Sequence, residues 1–191
     1  MRQIFIVVVL FAGINGHSQE RQLSVRARDL TQALAALRAS TSDSQAQGRY
    51  LTTFPHDYKE FLNLFDLGHE LSDGADYIDA LSLTEEKHPT ELGRLLVGLA
   101  KDAHYDADAP SYLQHLTAVY AGKHAEIFIE LFDQLPPQKQ TQLITFLADV
   151  ENHGSYPEYQ AIIDAFKRLG EGNLAIRFEK ARAKREKHRN D

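Results

Sequence analysis

The chain has 191 residues, of which 43% are hydrophobic and 25% charged, with a formal net charge of −6. That length and balance fit one globular domain and exclude wholesale disorder or two side-by-side enzymatic domains. No cysteine is present, so disulfide staples, thiolate catalysis and cysteine-ligated zinc are excluded, and stability must come from packing.

Charge is unevenly placed. From Asp57 to Glu171 there are 21 Asp and Glu against 8 Lys and Arg, a net −13, whereas Arg177 to Asp191 holds 7 basic and 3 acidic residues, a net +4. An acidic body repels nucleic acid and anionic headgroups and steers basic partners toward it. The basic tail reads as a solvated, frayed helix end.

Arg2 supplies a short positive region and Ile4 to Ala12 an apolar run, too short for the about 20 residues of a membrane span. With Gly16 and Ser18 at the −3 and −1 positions before Gln19, residues 1–18 read as a secretory signal, an uncleaved anchor being the alternative. Export without cysteines points to the bacterial periplasm, with no stable membrane span after cleavage.

Leu23, Ala27, Leu30, Leu34 and Leu37 share one helical face, predicting a first helix. The small polar stretch 40–50 reads as a linker or loop, so that 19–53 form a helix plus linker and a compact domain spans 54–176, ahead of a basic tail, 177–191. Within that domain Thr53 and Pro55 predict the start of a helix carrying Tyr58, Phe61, Leu62 and Phe65. Ser72 is placed to cap a helix carrying Tyr77, Ile78 and Leu81, and Leu92, Leu95, Leu96 and Leu99 mark another from about Thr90 to Ala103.

Asp108 before Ala109-Pro110 reads as an N-cap, with Leu113, Leu116 and Tyr120 as the stripe and Gly122 as the end. Ile127, Leu131 and Leu135 form the next stripe, stopped by Pro136 and Pro137. Leu143, Phe146, Leu147 and Val150 form another, and Tyr159, Ile162, Ile163, Phe166 and Leu169 one more. After Gly170 and Gly172 a last helix runs into the basic tail. No segment alternates as a strand does. The expected fold is all-α: an antiparallel bundle or HEAT-like stack of eight or nine helices.

Chemistry-bearing clusters are few. His104, Asp106 and Asp108, with His115 beyond, combine imidazole and carboxylate as a divalent metal or a general base requires. The plainer reading makes Asp108 a helix cap and Asp106 a loop solvator. His69-Glu70 lacks the second histidine of a zincin, since Asp73 stands four residues on. Neither a nucleophile elbow nor a phosphate-binding loop occurs, and Gly93 and Gly98 in the Thr90–Ala103 helix read as sites of close helix approach.

The segment Phe54-Pro55-His56-Asp57-Tyr58-Lys59-Glu60-Phe61, with Leu64-Phe65, Tyr77-Ile78 and Tyr105-Asp106-Ala107-Asp108-Ala109, resembles uncharacterised small exported helical bacterial proteins. Some of these are suspected to be immunity proteins against effectors delivered into the periplasm. The resemblance covers roughly residues 54 to 150, implies a protein partner and carries over no functional residue.

The expectation is therefore an exported protein-binding module that uses no cofactor. Its partner is expected to be a basic effector, met by acidic loops holding Asp73, Asp76, Asp79, Asp102, Asp106 and Asp108, and the oligomeric state is left open. The alternatives are a metal-assisted envelope hydrolase using His104, Asp106, Asp108 and His115, or a structural protein that binds the envelope through its tail.

Overall fold

The structure is a computed structural model; it describes residues 12–65, 71, 74–104, 109–149 and 156–190, without the side chains of 12–22, 186 and 188–190. The first eleven residues, with most of the apolar run, lie outside the described residues, as do His69, Glu70, Ser72, Asp73, Asp106, Asp108 and Val150. Among the described residues all regular structure is helical and there is no strand.

Helix α1 spans Ala12–Ala39. It buries Ala27, Leu30, Ala33, Leu34 and Leu37, the stripe that its sequence spacing marks. The stretch 40–50 departs from expectation, because most of it belongs to α2, Ser44–Thr53. Its polarity belongs to the exposed side of an amphipathic helix. Asp43 Oδ1 accepts from the Gln45 N–H at 2.8 Å, and Ala46, Gln47, Tyr50 and Leu51 turn inward. The Tyr50 hydroxyl donates to the Tyr77 carbonyl at 2.6 Å, so this segment is bound into the core. Burial pushes that phenol well above its usual pKa, with the Tyr77 and Asp76 charges adding to the shift.

Thr53 is the last residue of α2 and bonds back to the Arg49 carbonyl at 2.8 Å. The cap of α3, Tyr58–Phe65, is Asp57, whose Oδ1 accepts from the Glu60 N–H at 2.8 Å. A carboxylate outcompetes the threonine because it stands next to the free N–H groups of the first turn. Helix α4 (Gly74–Ala80) runs into a 3₁₀ turn, Leu81–Thr84, and α5 (Pro89–Ala100) begins with proline in its first turn, where its missing N–H costs nothing.

The remaining helices are α6 (Ala109–Lys123), α7 (Ala125–Asp133), α8 (Pro137–Ala148), α9 (Pro157–Arg168) and α10 (Gly172–Asn190). Helix α7 is turned relative to the expected stripe. Phe128 and Phe132 are fully buried, while Ile127 and Leu131 are only half-buried, because two rings one helical turn apart hide more surface than the aliphatic set. Leu169, expected in the core, is exposed.

The end of α9 is a glycine turn of defined geometry. Gly170 has φ +82°, its N–H bonds the Lys167 carbonyl at 3.2 Å, and the Glu171 N–H bonds that of Phe166 at 2.8 Å. This Schellman pair closes off the last carbonyls and sends the chain back along α9.

Ten α-helices thus form among the described residues, α2 being the unexpected one. They pack as a bundle about α6, which touches α4, α5, α7, α8 and α9. Helix α1 lies on α2 and α3, and α10 on α8 and α9. One core runs from Ala27 in α1 to Phe178 in α10, so α1 and α10 belong to the same body. No helix among the described residues is long and apolar enough to cross a membrane.

The two glycines of α5 differ. A Cβ on Gly93 would lie 2.3 Å from Tyr120 Oη and 2.8 Å from its Cζ, whereas at Gly98 nothing lies within 4 Å. Close approach therefore applies to Gly93 alone. Gly93→Ala is expected to cost about 2 kcal/mol by displacing Tyr120, and Gly98→Ala to add roughly 0.5–1 kcal/mol by removing chain entropy within a helix. Chemical denaturation of both variants reads this opposite pair of signs.

Candidate functional site

The two described histidines of the sequence cluster, His104 and His115, contact different neighbours. His104 is exposed, meets the Tyr58 ring edge-on at 5.4 Å, and accepts the Tyr58 hydroxyl on its carbonyl at 3.1 Å. His115, on α6, has its Nδ1 4.0 Å from a Glu158 carboxylate oxygen on α9. No group of three His, Asp or Glu able to hold a metal forms among the described residues. Asp106 and Asp108 lie outside them.

Of the acidic loop residues, Asp76 is exposed and pairs with Arg38 of α1 at 3.2 Å. Asp79 is exposed at the end of α4. Asp102 is held between two cations: the neighbouring Lys101 and Lys139 of α8, the latter at 2.5 Å. Burial pulls its carboxyl upward, but the hydrogen bonds and charges of the two lysines outweigh that and hold it below its ordinary value. Asp102 is thus a strut between the end of α5 and the start of α8.

Which carboxylates remain available depends on pairing. Glu60 is taken by Arg26 at 2.6 Å, Glu85 by His124 at 2.9 Å and Lys123 at 3.3 Å, Asp149 by Arg185 at 2.6 Å, and Glu179 by Lys167 at 2.7 Å. By contrast Glu126, Glu130 and Asp133 are exposed along α7 with no cation within ion-pair distance among the described residues. Their spacing of four and three residues sets them on one helical face, opposite buried Phe128 and Phe132. This face emerges only once the partners of each charge are known.

Beside the α6–α7 junction lies a recess of about 830 Å³, lined among others by Gln47, Ser82, Leu83, Glu85 and Glu86. The Glu85–His124 contact ties the segment after the 3₁₀ turn to the start of α7. Leu83 is 39% exposed on its rim. Gln47 is 2% exposed, its amide donates to the Thr41 carbonyl at 2.6 Å, and its Oε1 meets no donor among the described residues. Nearby, burial together with Glu85 and Glu91 pushes the Tyr120 phenol up to about 12.

A second concavity separates α8 from α10. One depression of about 580 Å³ is lined by Thr141, Ile144, Arg177, Lys180, Lys184 and Arg185 among others. A second, of about 600 Å³, shares Thr141, Thr145 and Arg185 and reaches His104 and Gln138. The basic tail, expected to fray, forms a wall of this cleft. Phe178 is fully buried, its carbonyl accepts the Tyr159 hydroxyl at 2.8 Å, and Arg177 lies 5.2 Å from the Phe132 ring centroid.

Asp102→Asn is expected to lower stability by about 1 kcal/mol at neutral pH. A lowered folded-state pKa means that this contribution is fully present above the ordinary aspartate value of 3.8 and is lost as pH falls through the folded value. Thermal unfolding of the variant and the parent should therefore converge in acid.

Comparison with protein-family models, with curated proteins and with solved structures yields no match to this chain.

Proposed function

We propose that this chain is an exported protein-binding module that meets a basic partner through the outer face of α7 and the adjoining Leu83–Glu86 rim. The observation that carries this reading is that Glu126, Glu130 and Asp133, on one helical face, meet no cation among the described residues, while Glu60, Glu85, Asp102 and Asp149 are spent on internal pairs. A field of unpaired carboxylates accelerates encounter with a basic surface and fixes its orientation. Exposed Leu83 adds an apolar contact. The Arg2 and Ile4–Ala12 leader supports action in the bacterial periplasm. An immunity protein needs only such a complementary surface to cover a basic effector, and it requires no cofactor.

The test is capture of envelope proteins by the tagged chain produced in its own host, at low and moderate salt. A stoichiometric basic partner is expected, released by salt. Its affinity is expected to fall roughly tenfold or more in the Glu126→Lys/Glu130→Lys/Asp133→Lys variant, which should also fail to protect cells from that partner. Capture that is indifferent to both salt and charge reversal would remove α7 as the binding face.

A further inference from the structure

Helix α10 has two faces. Leu174, Ala175 and Phe178 are buried, whereas Arg177, Lys180, Lys184 and Lys187 recur at intervals of three, four and three residues and are exposed. That spacing makes one cationic stripe along the helix. Arg177 donates to the Gln140 side-chain oxygen at 3.0 Å, and Lys180 and Lys184 have no carboxylate within ion-pair distance among the described residues.

The stripe edges the cleft against α8, whose facing residues Gln138, Thr141, Gln142 and Thr145 carry no charge. The floor is apolar, with Ile144 only 4% exposed beside Ala181. Among the described residues lining the two depressions Asp149 is the one carboxylate, and Arg185 already neutralises it. The cleft therefore combines a cationic wall, an uncharged polar wall and an apolar floor.

We propose that the α8–α10 cleft docks an acidic, amphipathic helical segment of a partner protein. Helix-in-groove recognition places apolar anchors one turn apart on the floor and flanking side chains on the walls. Here the anchors would meet Ile144 and Ala181, and carboxylates would meet Lys180 and Lys184. An anionic bilayer fits less well, because the apolar floor is recessed between two helices where a flat membrane surface does not reach. A second copy of this chain also fits less well: its acidic α7 face has Phe128 and Phe132 committed to its own core. The inference is independent of the α7 reading, since it uses the opposite charge on different helices.

The experiment uses the full chain and a panel of synthetic helical peptides with leucines one turn apart and glutamates on both flanks, followed by fluorescence anisotropy at low and physiological salt. Binding is expected, weakened by salt and reduced roughly tenfold or more by Lys180→Glu/Lys184→Glu. Lys180→Ala/Lys184→Ala, which adds no charge, should give a smaller loss in the same direction, and Glu130→Lys should give none. Both lysines are exposed, so an unchanged melting temperature checks that the fold is kept. Absence of binding by every peptide, or binding indifferent to the lysine substitutions, overturns the proposal. So does binding to phosphatidylglycerol vesicles, or self-association at low salt, that the same substitutions abolish while the peptides do not bind.

Discussion

Helix α6 is enclosed by α4, α5, α7, α8 and α9, and a helix so enclosed cannot leave a side-chain polar group unpaired without a cost of about 1–3 kcal/mol. Its three inward polar residues each find a main-chain carbonyl. Gln114 donates to those of Phe146 and Asp149 at the end of α8, Thr117 to that of Leu113 one turn back, and Tyr120 to that of Pro89 at the start of α5. Two of these residues do more than satisfy α6. Gln114 serves carbonyls at the C-terminal end of α8, and Tyr120 reaches the first turn of α5 because Gly93 leaves room for its ring. The polar contacts of α6 thereby set where α5 and α8 lie, and with them the ground on which the α7 face and the α8–α10 cleft are built.

Much of this architecture is legible in the sequence because helices announce themselves through buried residues at a period of 3.6. The stripes of α1, α3, α5 and α9 bury nearly as their spacing implies. What was not legible follows from contacts between distant segments. The tract at 40–50 looks like a linker by composition, yet Tyr50 finds the Tyr77 carbonyl 27 residues away and draws α2 into the core. In α7 the aliphatic and aromatic residues offer two competing stripes, and only the rings of Phe166, stacked on Phe128 at 6.0 Å, and Phe178, edge-on to Phe166 at 5.2 Å, decide between them.

The charges show the same limit more strongly. The sequence marks the body as acidic and the tail as basic, but a carboxylate's availability is a property of its neighbours. Asp102 looked like part of a binding loop and is held between Lys101 and Lys139. Glu126, Glu130 and Asp133 look like ordinary solvation, as single acids within a helix do, yet among the described residues they stand unpaired on one face. The tail is the converse case: its basic excess suggested a frayed end, whereas Phe178 and Ala175 at its root anchor it to α9 and turn its lysines into a wall.

The cleft, the Asp149–Arg185 pair and the separation of the two charge fields all require α10 to be part of the body. Hydrogen–deuterium exchange of the full chain tests this most directly. If α10 is docked, amides from Phe178 to Arg185 will exchange about as slowly as those of α9, which it packs against. Exchange of that segment on the timescale of an unstructured peptide, with α9 still protected, would contradict it.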